Sequence, residues 1–225
     1  DLDKKDFKLL FLIFILSKIF ILVGKNHDDF HYYHFPYILT LTEYPHPLGL
    51  GNLNHGFKTH SSIFLLSSLF YLPGAKYSLF HLTPAYILIF SNYIILELIL
   101  KKDIQKKYNF ITFLGLSSFV FINIFFYRLG EHGTDRSAQI LIFLFFIYIL
   151  SLRGRYENFD SILPKLIILL SIIVSLKSFY VLYFIFIIPF IFYILKDGKG
   201  YLIYKIFKNP MLYFSILIGI CVILV

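Results

Sequence analysis

Long runs of Ile, Leu and Phe, separated by short polar stretches, set the pattern of this chain, and the lengths of the runs decide what they form. The runs Ile87 to Leu100 and Ser178 to Leu195 are longer than a buried core helix requires and are bounded by charge. Seven helical spans are expected: Leu9 to Gly24, Tyr77 to Leu100, Phe110 to Tyr127, Ala138 to Leu152, Leu163 to Leu176, Ser178 to Leu195, and a last one from about Pro210 onward. The apolar run Ile63 to Leu72, closed by Pro73-Gly74, falls well short of the roughly 20 residues that cross a bilayer. It is expected to lie at the interface or dip into it. Lys18 interrupts the first run and is expected to snorkel or to face a cavity. The predicted fold class is all-α, a polytopic membrane protein.

Composition strengthens this picture. The chain is 58% hydrophobic and 15% charged, with a mean hydropathy of +0.76, which excludes an ordinary water-soluble core of this size. The net charge of +8 has its first explanation in basic cytoplasmic loops, and the pairs Lys101-Lys102 and Lys106-Lys107 are too short to form a duplex-binding face. No nucleic-acid partner is expected. Basic residues sort unevenly between the two sides of the seven spans. Lys4, Lys5, Lys8, Lys101, Lys102, Lys106, Lys107, Arg153, Arg155, Lys165, Lys196, Lys199, Lys205 and Lys208 share one side; Lys25, Lys58, Lys76, Arg128, Arg136 and Lys177 share the other. Fourteen against six makes the first side, and the N-terminus, cytoplasmic. The loops 25–76 and 128–137 then face outward. The single cysteine, Cys221, lies within an apolar run and reads as a small helix residue. No cleavable signal pattern follows Asp1 to Lys8, and the chain is expected to be one transmembrane domain over residues 1–225, a segment of a longer protein.

Mixed acid, base, His and Gly clusters occur only in the two outward loops. In the first, Asp28 and Asp29 follow a membrane helix directly, where partial desolvation suits a carboxylate to act as a base or a metal ligand; a solvated acidic cap is the structural alternative. His27, His31 and His34, four and three apart, would share one face of an α-helix and with the aspartates could hold a divalent cation. The spacing lacks the H-E-x-x-H pattern. Phe35 to Tyr44 carries an apolar stripe of Phe35, Tyr37, Ile38 and Leu41, with Pro36 suited to a first turn and Thr40 and Glu43 toward water. After Pro45-His46-Pro47, the glycines 49, 51 and 56 loosen a stretch in which Asn54, His55, Lys58 and His60 are candidates to bind phosphate or sugar hydroxyls.

The second outward loop is a dense cluster, Arg128 to Arg136. Arg128 and Arg136 suit a phosphate clamp, whereas Glu131 and Asp135 would either contact substrate or neutralise those arginines. Thr134-Asp135 also reads as an N-cap for a helix at Ser137.

Three pieces, D-D-F-H-Y-Y-H-F-P (Asp28 to Pro36), G-L-G-N-L-N-H-G-F (Gly49 to Phe57) and L-G-E-H-G-T-D (Leu129 to Asp135), give the chain a resemblance, over roughly Leu9 to Leu150, to multispanning bacterial membrane proteins related to the GT-C type glycosyltransferases. The resemblance implies a GT-C-like helical domain in the inner membrane with a large first extracytoplasmic loop. It also implies a sugar transferred from a polyprenyl-phosphate donor to an extracytoplasmic acceptor, with Asp28 or Asp29 as catalytic carboxylate and Phe35 to Tyr44 as the juxtamembrane helix. Membrane lipid and the lipid-linked sugar are the implied partners. The His-rich flanks of the acidic pair exceed what such chemistry uses, and these 225 residues hold no counterpart of the large C-terminal soluble domain of some members. No G-x-G-x-x-G or G-K-[ST] motif supports a nucleotide-dependent reaction. Two alternatives stand beside the transferase: a transporter or flippase of a lipid-linked or anionic solute, using Lys18, Asn92, Glu97, Asn123 and Lys177, and a non-catalytic assembly protein.

Overall fold

The computed structural model describes residues 4–21, 28–44, 49–58, 61–100, 109–125, 134–151, 159–196 and 200–224. The chain is all-helical: among these residues the only β pairing is an isolated bridge between Leu72 and Lys76. Ten α-helices are described: α1 Lys4–Ile21, α2 Phe35–Glu43, α3 Ser62–Ser68, α4 Leu82–Leu100, α5 Asn109–Phe125, α6 Thr134–Ser151, α7 Phe159–Leu176, α8 Ile188–Lys196, α9 Gly200–Lys208 and α10 Pro210–Leu224. The chain divides into two compact units, Asp1–Ile140 and Leu141–Val225.

In the first unit α1 runs antiparallel to α4, with Ile13 packed between Ile89 and Tyr93 and flanked by Leu9, Leu10, Ile94 and Leu96. The joint between α4 and α5 is polar. Asn92 Nδ2 donates to Asn123 Oδ1 and Asn123 Nδ2 donates to Asn92 Oδ1, both at 2.9 Å, and Asn123 Nδ2 also reaches Phe119 O at 2.7 Å. Asn92 is only 3% exposed. Each amide thus answers the other, which removes the cost of burying two polar groups and fixes the register of the two helices. The outer stripe of α5 is as apolar as a core: Phe113, Leu116, Val120 and Ile124 recur every three or four residues and are all exposed.

In the second unit α7 packs along α10. Ser171 on α7 meets Gly219 on α10, and Ser175 and Ser215, each four residues away along its helix, are buried too, so that small residues let the two backbones approach. A methyl group on Gly219 would collide with Ser171 Oγ. Each serine hydroxyl donates to a carbonyl of its own helix, Ser171 to Ile167 and Ser215 to Met211, so none is left wanting. Ser178–Ile187 is a 3-10 helix that runs into α8. At its end Pro189 lacks the N–H that would bond the Ile185 carbonyl, and the N–H of Ile188 takes that carbonyl instead, in the tighter 3-10 pattern. The second half of α6 meets this segment through Phe146, whose ring lies 5.1 Å from Phe186 and 5.8 Å from Tyr183. Lys205 on α9 pairs with Asp160 at 2.9 Å, which raises the lysine's pKa above its usual value.

Helices form where the hydrophobic runs predict them, with shifted ends. The first begins at Lys4 rather than Leu9, and α6 begins at Thr134, so Asp135 lies within the first turn, where its charge complements the helix dipole. The expected interfacial helix Ile63 to Leu72 is shorter. It stops at Ser68, ahead of the turn at Pro73-Gly74, and buries Ile63 and Phe64 rather than lying open at a surface. Among the described residues, two helical stretches, Tyr77–Leu100 and Thr134–Ser151, are long and apolar enough to cross a membrane; Phe110–Phe125, Ser178–Ile187 and Pro210–Ile223 are shorter apolar helices.

The amide pair yields a stability prediction. Asn92→Leu and Asn123→Leu should each destabilise the protein by about 1–2 kcal/mol, because the remaining amide is left buried without its partner. The double variant should cost less than the sum of the two. A double-mutant cycle by thermal unfolding in detergent measures the difference, and strict additivity would mean that the two amides do not act as a pair.

Candidate functional site

The first long polar loop folds on itself, and Pro36 dictates how. A proline at this position cannot supply the N–H that an α-helix would give to the carbonyl of Tyr32, four residues earlier. The chain responds in two ways. Residues Phe30–His34 widen into a π-helix, closed by the N–H of Phe35 on the carbonyl of Phe30. The Tyr32 carbonyl then takes its donor from outside, from Asn54 Nδ2 at 3.0 Å. The other end of the same amide accepts from the N–H of Gly56 at 2.9 Å. Gly56 is buried against Tyr33, and a methyl group there would collide with the ring. The Gly49 to Phe57 block therefore clips onto the Asp28 to Pro36 block.

Aromatic packing completes the loop. Phe64 of α3 is fully buried and touches three rings: Tyr37 at 5.1 Å, His34 at 5.3 Å and Tyr33 at 6.3 Å. Tyr37 also stacks on Phe57 at 5.0 Å, and its burial raises the phenol's pKa. Phe35 packs on Tyr77 at 5.4 Å and Phe80 at 6.2 Å, which ties the loop to the start of α4.

The sequence-predicted site residues separate into several groups. Asp28 is exposed at the mouth of the π-helix and Asp29 is half-buried beside it. His31 points outward while His34 is 5% exposed under Tyr33 and Phe64. The two histidines do not share a face as the α-helical spacing predicts, because the π-turn changes the angle between positions three apart. Among the described residues no group of three or more His, Cys, Asp or Glu side chains is placed to hold a metal ion. Asn54 is committed to the clip. His55 and Lys58 are exposed, the lysine stem lying over Gly51. Asp135 is exposed and Arg136 half-buried in the first turn of α6. His27, His60, Arg128 and Glu131 lie outside the described residues.

Lys18, expected to snorkel or to face a cavity, and His81, which sequence reasoning did not single out, line one cavity. A cavity of about 370 Å³ opens between α1 and α4, lined by Ser17, Lys18, Leu79, His81 and Tyr86 together with apolar neighbours. The Lys18 ammonium lies 5.2 Å from the centre of the Phe14 ring, and the His81 ring is half-buried and hydrogen-bonded to the Ser78 backbone. Phe80, on which the loop packs through Phe35, stands between Leu79 and His81 in the chain. A cation and an imidazole at an apolar wall suit an anionic head group carried on a hydrophobic tail. The interruption of an apolar run by Lys18 signalled one of the pair; nothing in the spacing signalled His81.

These features define a helical protein with helices able to cross a membrane and an ordered polar loop at one end of α1 and α4. The chain belongs to the family described as "Domain of unknown function (DUF8201)", which matches residues 2–224. No curated protein and no solved structure matches it.

The clip can be tested without reference to activity. Gly56→Ala should loosen the loop by roughly 1–3 kcal/mol through overpacking on Tyr33, and Asn54→Ala by about 1 kcal/mol through the lost donor to Tyr32. Faster amide exchange over residues 30–58, with α4 unchanged, is the expected readout. Unchanged protection in both variants would mean that the two blocks are not held by these contacts.

Proposed function

We propose that this protein is a polytopic membrane glycosyltransferase that takes a sugar from a polyprenyl-phosphate donor on the extracytoplasmic face. Three observations support the membrane part of the reading. α1, α4, α5, α6 and α7 are 17–19 residues long, close to the length that crosses roughly 30 Å of hydrocarbon. The 3-10 segment and α8 together rise roughly 33 Å, because each 3-10 residue advances farther than an α-helical one. The outward stripe of α5 and the small-residue contacts of α7 with α10 suit lipid surroundings.

The single observation that carries the functional part is the junction of two features at one end of α1 and α4. A cavity with Lys18 and His81 lies next to a folded loop that presents Asp28 and Asp29. In this reading the cavity receives the phosphate of the donor, and Lys18 offsets the charge that grows on it as the glycosidic bond breaks. An aspartate of the pair takes the proton of the acceptor hydroxyl as it attacks the anomeric carbon. A transport pathway through Asn92 and Asn123 is disfavoured, since those amides are spent on each other and on Phe119.

Transfer of labelled sugar from polyprenyl-phosphate donors by the reconstituted protein tests the proposal. Asp28→Asn or Asp29→Asn should lower turnover by about 10²–10⁴-fold. Lys18→Met should raise the donor KM and lower kcat while the fold is retained. Full activity in both aspartate variants would remove the acidic pair from the chemistry, and no turnover by the wild type with any donor would sink the transferase reading.

A further inference from the structure

We propose that the second unit holds an anionic phospholipid of the cytoplasmic leaflet, its acyl chain in a groove between helices and its phosphate on the lysine rim of α9. The inference rests on the membrane reading above and not on the transfer chemistry.

The groove has a volume of about 820 Å³, within the roughly 300–1,000 Å³ range of small-molecule sites. Its walls come from α7, the 3-10 segment with α8, α9 and α10, through residues such as Ile167, Ile185, Ile206 and Ile216. Ser171 contributes the one polar side chain of the lining, and its hydroxyl is already given to the Ile167 carbonyl. The walls therefore ask nothing directional of an occupant. A flexible hydrocarbon chain meets that requirement, because contact area alone would hold it.

Charge defines the other half of the occupant. α9 is amphipathic: Ile203, Ile206 and Phe207 line the groove, while Tyr201, Tyr204, Lys205 and Lys208 are exposed. The helix is pinned across one end of the groove. Lys205 pairs with Asp160 at the start of α7, and Asn209, between α9 and α10, donates to the Asp160 carbonyl at 2.8 Å. Lys208 Nζ lies 4.4 Å from the centre of the Tyr204 ring. Between Lys196 and Lys208 the sequence carries four lysines, at 196, 199, 205 and 208, against one acid, Asp197. Asp160 offsets Lys205, and Lys208, exposed on α9, keeps its charge outward. A long apolar slot with a cationic, tyrosine-bearing end matches an amphiphile with a negative head group. A second copy of the chain would bring its own surplus of positive charge and would not complement the rim. Lysine-rich ends face the cytoplasm, which assigns the head group to a lipid of that leaflet.

The test uses the whole protein reconstituted in vesicles of phosphatidylcholine with phosphatidylglycerol, re-extracted in mild detergent and examined by native mass spectrometry for retained lipid. Phosphatidylglycerol should be retained in preference to phosphatidylcholine, and Lys208→Gln should reduce that preference about fivefold. Lys196→Gln/Lys208→Gln should reduce it further, with circular dichroism unchanged because neither lysine is part of the core. Ile216→Trp, which fills the groove, should release phosphatidylglycerol while the lysines remain. Equal retention of the two lipids, or a preference that survives the double lysine variant, would overturn the inference while the membrane reading stands. Release of the protein from vesicles by alkaline carbonate would overturn both.

Discussion

A backbone carbonyl stripped of its helical donor by proline must find another, and the parts of this structure that matter for function are arranged around meeting that demand. Such a carbonyl turns to water or to a donor elsewhere in the chain, and a donor from elsewhere becomes a long-range contact. Pro36 frees the Tyr32 carbonyl, and Asn54 supplies the donor from 22 residues away. Pro164, inside α7, frees the carbonyl of Asp160, and Asn209 supplies the donor from 49 residues away. Pro189 frees Ile185, and the local backbone answers by tightening into a 3-10 turn. The first two solutions recruit an asparagine remote in sequence, and each thereby fixes a long-range contact.

Those two contacts position the two candidate sites. The Asn54 clip holds the loop closed on the π-helix, and Phe35 at the end of that helix anchors the loop over Phe80, beside the cavity of Lys18 and His81. Asn209 in turn caps α10, with its Oδ1 on the Met211 N–H at 2.9 Å, while its Nδ2 fastens the start of α7. With the Lys205–Asp160 pair this sets α9 across the end of the apolar groove. One side chain thus serves as cap and as proline compensator. Its replacement would disturb three helices at once.

Hydrophobic runs made most of the helices legible in the sequence, because a run of Ile, Leu and Phe leaves the backbone little alternative to satisfying itself. Helix ends were less legible. The polar residues Lys4, Lys5 and Asp6 are helical although no apolar signal marks them, since a helix started by a long run extends into soluble residues at little cost. The loop was read as chemistry, and the structure gives several of its residues architectural work. Asn54 and Gly56 have their partners in a block some twenty residues earlier, a contact that no local spacing announces. His34 is buried among rings because a π-turn, caused by Pro36, rotates it away from His31. The pairing of Asn92 with Asn123 was equally hidden, since two polar residues in separate apolar runs look the same whether they face a pathway or each other.

Polar groups inside apolar helices differ in whether partners within the fold consume their polarity. Asn92 and Asn123 exchange two hydrogen bonds and use a third on Phe119, so their polarity is consumed within the helix pair. Ser171, Ser175 and Ser215 likewise spend their hydroxyls on carbonyls of their own helices, which leaves their small size as what they contribute to the contact between α7 and α10. Lys18 differs in kind. An ammonium is not neutralised by a ring 5.2 Å away, and it lines a cavity that His81 also lines. Its side chain is exposed at that wall, where its charge is open to a negatively charged ligand. The asparagines and serines thus mark where helices meet, whereas Lys18 keeps its charge at the cavity on which the proposed donor site rests.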